Sequence, residues 1–286
     1  VGFFPSPDIL ITGDTLICEG ETGLLTAEGA NNYLWSTGET EASISVKTAG
    51  TYQVMGEDER GCRDSIEQVL TVQALPEPVI TGNPEVCSGD SSLLRAGGGQ
   101  TYRWSTGGQS DSLYLSRKGE YYLVAKDEYG CSDTLFFRFV EHALPNASIT
   151  GEEGFCEGDS ILLTAHGGSS YFWPGHGKNE STLWVREGSM VNVIATDDHN
   201  CSDTAWHQLT LYALPEAAFS EEIIYDTVYF LNQSAGMDSC IWYFGDDSHS
   251  NDMDPMHKYG TTGTFTVELQ TLSDMGCRDT ASHNLT

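Results

Sequence analysis

The chain has 286 residues, 13 basic against 42 acidic side chains and a net charge of −29, with 39% hydrophobic residues. A phosphate backbone needs a basic face, so nucleic acid is excluded as a partner, and anionic membrane surfaces are disfavoured in the same way. No run reaches the roughly 18 apolar residues of a membrane span, and no signal segment opens the chain, so we read it as a mature stretch of a longer exported protein.

Short runs of β-branched and aromatic residues, separated by Gly, Asp or Asn turns, predict strands over 9–12, 15–18, 24–27, 33–35, 43–46, 51–55 and 65–72. Alternation over 44–46 and 70–72 fits strands with one buried face. Nothing sustains a 3.6-residue period, so no helix longer than a turn is expected. Seven short strands with a Trp in the third or fourth predict a small immunoglobulin-like sandwich, and an all-β chain.

The same unit then recurs. Trp35, Trp104, Trp173 and Trp242 are spaced by a constant 69 residues, the mark of one structural unit copied along a chain. Cys18, Cys87 and Cys156 keep the same step, and Cys62, Cys131, Cys201 and Cys277 sit in the related phrases ERGCRDS, EYGCSDT, DHNCSDT and DMGCRDT. Ala-Leu-Pro closes the first three units at 74–76, 143–145 and 213–215. We place four tandem modules at 1–75, 76–144, 145–214 and 215–286. Their joints are short and lack a Gly/Ser tract, so neighbouring modules should touch and tilt little.

A unit of this size buries only about 60% of its unfolded surface and wants a staple. Two cysteines per module suggest four bridges within modules: Cys18–Cys62, Cys87–Cys131, Cys156–Cys201 and Cys240–Cys277. Each would close a loop of about 45 residues, or about 37 in the last module, and add roughly 4 kcal/mol in the chain-entropy model. The bridge is expected to tie an edge strand to the start of the last strand, across the rim of the sandwich. Zinc is the competing use, but no CxxC pair occurs and two thiolates make a poor tetrahedral site. Disulfides place the chain in an oxidising compartment.

The last module departs from the others, since Cys240 lies only two residues before its Trp. Its residues Trp242, Phe244, Gly245, Asp246, Pro255, His257, Tyr259, Gly263, Phe265 and Val267 resemble the PKD-domain pattern W-x-F-G-D, P-x-H-x-Y, G-x-[FY]-x-V. Asp247 and Ser248 stand where that family often has Gly, which implies a somewhat different turn. The phrases CxGDSxLLxA, YxWSTG, GxY and GCxDT in the earlier modules are similar to Ig-like repeats that accompany PKD domains in large Bacteroidetes surface proteins. That resemblance implies a gliding-motility-associated or adhesin-like protein exported by the type IX route.

The acidity suggests two readings. One is solubility and self-repulsion; the other is calcium held by Glu57, Asp58 and Glu59, by Asp197 and Asp198, or by Asp246, Asp247, Asp252 and Asp254, although no EF-hand spacing is present. Asp246 is more simply a turn residue accepting backbone N–H bonds. No further cofactor is implied. Gly158, Asp159 and Ser160 resemble a GDSL-type hydrolase block, yet they align with Gly89, Asp90 and Ser91 and with Gly20, Glu21 and Thr22, which makes them a turn entering a strand. The histidines form no ligand spacing, and no Gly-rich loop leads into a helix. We expect no enzyme.

Binding is sought where the repeat is broken. Trp184 and Trp206 occur in the third module, beside its GHGKNES loop. Counted from the repeat Trp, Trp184 matches Leu115 and Val46 in the core; counted from the later cysteines it matches Tyr114 and Ser45 on the solvent side. Exposed, such a Trp could stack on a sugar face. Asp-Ser/Thr-apolar triplets also recur, similar to the O-glycosylation sequon of Bacteroidetes secreted proteins, with Thr134, Thr204 and Thr280 as attachment candidates; turn chemistry before strands predicts the same triplets. Together these readings point to a noncatalytic extracellular stalk of a bacterial cell-surface adhesin, a stapled rod longer than about 100 Å at roughly 3.3 Å per strand residue. Its partner would be an extracellular glycan or protein surface. The alternatives are accessory, carbohydrate-binding modules of a secreted hydrolase, or a subunit of an extracellular fibre.

Overall fold

The structure, a computed structural model, describes residues 5–286, so the start of the opening segment, 1–4, lies outside the described residues. Every regular element among them is a strand. The first module contains β1 (Leu10–Gly13), β2 (Leu16–Cys18), β3 (Gly23–Glu28), β4 (Asn32–Trp35), β5 (Ser43–Val46), β6 (Gly50–Glu57) and β7 (Arg63–Gln73), one for each predicted run. They form two facing sheets, β1-β3-β5 and β2-β7-β6-β4. All pairs are antiparallel except β2, which runs parallel to the far end of β7, with Leu16 opposite Thr71 and Cys18 opposite Gln73.

Alternation decides what faces inward. Leu25 and Ala27 of β3 and Tyr52 and Val54 of β6 are buried, with half-buried Thr26 and exposed Gln53 between them. They pack around Trp35, Ile44, Val46 and Leu70 in a single cluster. A buried indole needs an acceptor for its N–H, and each repeat Trp finds a carbonyl in the loop that follows. Trp35 donates to Glu41 (2.9 Å), Trp104 to Ser110 (2.9 Å), Trp173 to Glu180 (2.8 Å) and Trp242 to Asp252 (3.0 Å). Two residues earlier, Tyr33, Tyr102 and Tyr171 each donate a hydroxyl to the carbonyl three residues back, at Ala30, Gly99 and Gly168. The phrase Tyr-x-Trp is therefore one buried ring plus one turn clamp.

Two compact units are present, Val1–His142 and Ala143–Thr286, dividing at the second Ala-Leu-Pro phrase. Each holds two separate cores. The first unit contains the cluster around Trp35 and another of Leu94, Trp104, Leu115, Leu123 and Phe139. The second contains one around Trp173 and one around Trp242. The chain is thus a tandem of immunoglobulin-like β-sandwich modules. Entry into each of the first three is tight. Gly29, Gly98 and Gly167 have φ of 98°, 84° and 97°, and a Cβ there would lie 2.0, 1.8 and 2.0 Å from the carbonyls of Asp8, Glu77 and Asn146, each just after a proline. Only glycine allows that approach at positive φ.

The bridges correct the expected pairing. Cys18 bonds Cys131 and Cys156 bonds Cys277, each with Cα atoms 5.5 Å apart, while Cys62 and Cys240 are free thiols. Cys87 and Cys201 are also disulfide-bonded. The reason is strand length. Cys18 sits beside Gln73 at the end of β7, and Cys62 immediately precedes Arg63 at its start. Ten steps of about 3.3 Å separate those positions by roughly 33 Å, several times the reach of a disulfide. The two cysteines of a module occupy opposite ends of the sandwich, so a bridge can form only across a joint, from one module to the next.

Cys240 fails as a staple for a different reason. It stands two residues before Trp242, the slot of Tyr33, Tyr102 and Tyr171, and is buried in the core on the strand Ser239–Tyr243. Burial pushes its thiol pKa up, against a hydrogen bond from Asn232. The slot seventeen residues before the Trp, filled by cysteine in the first three modules, holds Tyr225 in the fourth, at the tip of a two-residue hairpin.

Candidate functional site

The joints carry the built chemistry of this chain. The second cysteine of each of the first three modules is set by an acidic turn, and Cys277 by the Ser273 hydroxyl at 3.1 Å. Asp58 Oδ1 accepts the N–H groups of Arg60 (2.9 Å) and Cys62 (2.8 Å), Asp127 those of Tyr129 (2.9 Å) and Cys131 (2.8 Å), and Asp197 those of His199 and Cys201 (both 2.9 Å). Gly61, Gly130, Asn200 and Gly276 precede the cysteines at φ of 81°, 96°, 63° and 83°. Asn is one of the few side chains that tolerates this region. The first cysteine is set by another turn: Glu21, Asp90 and Asp159 N–H groups donate to the carbonyls of Cys18, Cys87 and Cys156, with Gly20, Gly89 and Gly158 at positive φ. The GDSL-like phrase is that turn.

Several of the acidic residues considered for calcium are engaged within the fold. Asp58 and Asp197 are engaged by backbone N–H groups, and Glu57 pairs with Arg63 at 2.6 Å. In the last module Asp254 accepts the N–H of Asn232 (2.8 Å), Asp252 is linked to Ser250, and Asp246 turns toward His257, while Asp247 holds the turn at φ 68°. The four carboxylates do not converge. Among the described residues, no group of three or more His, Cys, Asp or Glu comes together in a way that could hold a metal. Asp247 takes the left-handed conformation that glycine fills in the resembled pattern.

Ser248, His257 and Asp246 do meet, which invites a catalytic reading. His257 Nε2 lies 2.7 Å from Asp246 Oδ2 and 3.4 Å from Ser248 Oγ, and the Ser248 hydroxyl also donates to Asp246. In a nucleophilic triad the carboxylate and the hydroxyl occupy opposite ring nitrogens. Here both sit on Nε2, and the ring is stacked on Phe244 at 4.3 Å and edged by Tyr259 at 4.6 Å. The cluster clamps a turn. Burial works to raise the Asp246 pKa, but the hydrogen bonds from Ser248 and His257 outweigh it and hold the carboxyl below its ordinary range. Burial first, and Asp246 second, push Tyr259 up to about 12. A depressed carboxylate contributes stability above its unfolded value of about 3.9, lost as pH falls through the folded value. The melting-temperature gap between the native chain and Asp246→Asn should therefore be open at pH 6 and close as the buffer is taken below about pH 4; calorimetry across that range checks it.

The repeat-breaking aromatics are surface residues. Trp184 is 65% exposed, opposite Leu162 on the strand Thr182–Val185, and Trp206 is 61% exposed on Ser202–Gln208. The count from the later cysteines is the correct one, because the extra residue of this module lies in the loop between Trp173 and Thr182. Trp184 thus matches Tyr114, which is also exposed. Trp206 matches Phe136, exposed and packed on Tyr122 at 5.8 Å. Both matches step back 70 residues from their Trp; the sequence pattern had already offered Tyr114 but not Phe136. Modules two and three carry an outward aromatic on both sheets; the first has Ser45 and Glu67 at those places. Thr204 and Thr280 are exposed and Thr134 is half-buried, each after an Asp; Asp133 and Asp203 bind the following N–H.

Comparison with known proteins is consistent with the last module's geometry. Residues 217–286 match the family model of the PKD domain. Similar solved structures include the PKD1 domain of Vibrio anguillarum Epp (28% identity over 25% of this chain and 90% of that one, TM-score 0.25) and the PKD1 domain of the Vibrio cholerae metalloprotease PrtV (26%, over 25% and 94%, TM-score 0.25). The ICAM-5 D1–D4 ectodomain fragment aligns over 97% of this chain and 99% of its own at 9% identity and TM-score 0.35. No curated protein matches the chain. The family match is thus confined to the last module, while the chain as a whole has the tandem β-sandwich fold.

Proposed function

We propose that this chain is a noncatalytic extracellular spacer of a bacterial cell-surface adhesin, in which tension crosses the joints through covalent bonds. The carrying observation is that Cys18–Cys131 and Cys156–Cys277 each join one module to the next. A load-bearing role makes direct use of such bonds. Under load a bridged joint cannot separate until a covalent bond breaks. The acidity keeps the surface solvated and repels other acidic surfaces. Export by the type IX route, as in Bacteroidetes surface proteins of this module composition, fits the cysteine chemistry. Thr134, Thr204 and Thr280 are the positions we assign to O-linked sugar.

A second reading is favoured by the exposed Trp184 and Trp206: carbohydrate-binding accessory modules of a secreted hydrolase. A glycan array with the chain decides between the two. The spacer reading expects signal no higher in the native chain than in Trp184→Ala with Trp206→Ala. A specific signal that those substitutions remove overturns it and establishes the binding role.

A further inference from the structure

From the joints we infer that Cys62 is one half of another module-to-module disulfide, its partner being the first-position cysteine of a further module of this repeat lying before residue 1 in the same polypeptide. The inference rests on the bridge pattern and not on the spacer reading. Cys62 is the second cysteine of its module, and the equivalent residues Cys131 and Cys277 both bond the first cysteine of the module before them. The local geometry is the same. Asp58 fixes the Cys62 N–H at 2.8 Å as Asp127 fixes that of Cys131, and a positive-φ glycine precedes each. What differs is cover. Cys131 is 1% exposed and Cys277 is 0% exposed, whereas Cys62 is half-exposed at the end of the sandwich where a preceding module would sit.

A second copy of this chain supplies no first-position thiol: those cysteines are all disulfide-bonded, and of its two free thiols Cys240 is buried and Cys62 is the same second-position residue. Bond formation joins two Sγ atoms, releases both thiol protons and passes two electrons to a disulfide oxidant, which leaves as two thiols.

The test uses the natural polypeptide, alkylated before lysis and digested without reduction. The expected product is a Cys62 peptide linked to one containing Cys-x-Gly-Asp or Cys-x-Gly-Glu from outside residues 1–286. In the Cys62→Ser protein that same outside cysteine should become alkylated, roughly one per chain, with Cys18–Cys131 unchanged. An alkylated Cys62, a Cys62–Cys62 link or a small-thiol adduct overturns the proposal. So does a Cys62→Ser digest with no newly alkylated cysteine.

Discussion

Stretched from its two ends, the oxidised chain should yield only a short tether, and a reducing agent should lengthen that tether by roughly 800 Å at about 3.5 Å per freed residue. The bridges set this number. Cys18–Cys131 and Cys156–Cys277 span 113 and 121 residues, and force entering at one cysteine passes straight to its partner. Whatever lies between is shielded whether it is folded or not. Single-molecule pulling with and without dithiothreitol reads the difference. The same loops matter at equilibrium: cross-links closing more than a hundred residues contribute on the order of 5 kcal/mol in the chain-entropy model.

Replacing Trp242 by alanine should unfold the fourth module. Its ring is fully buried, with centroids 5.0 Å from Phe219 and 5.2 Å from Phe230, and its N–H satisfies the Asp252 carbonyl. Truncating a buried Trp costs about 3–5 kcal/mol, and the stranded carbonyl adds about 1–3 kcal/mol. Small domains are stable by about 5–15 kcal/mol in total, the smallest near the low end. Near-ultraviolet circular dichroism should lose the signal of this module while the other three cores persist. Trp242→Phe, which keeps most of the packing and loses only the donor, should cost less and leave the module folded.

Much of this architecture was open to sequence reading because its signals are local. The seven strands of the first module each rest on a short β-branched or aromatic run closed by Gly or Asp, and the step between Trp35, Trp104, Trp173 and Trp242 exposes the copying. The cysteine partners were misread because the deciding fact is not local. The run predicted at 65–72 shows a long strand, but only the parallel pairing of β2 with the far end of β7 puts Cys18 beside Gln73, roughly 33 Å from the start of β7 near Cys62 at about 3.3 Å per residue. Cys240 was misassigned because cysteines were matched to cysteines, when counting from Trp242 puts it in a tyrosine slot. Asp58 and Asp197, among the acidic residues considered for calcium, accept backbone N–H bonds in turns, a role that depends on backbone geometry more than on composition. Phe136 was missed because Trp206 was not traced back to its slot in the second module, as Trp184 was to Tyr114.

The most direct test is a peptide map of the unreduced chain, thiols blocked beforehand. Links Cys18–Cys131 and Cys156–Cys277, with Cys240 alkylated, are the predicted result. Links Cys18–Cys62 and Cys240–Cys277, each closed within a single module, would contradict the account.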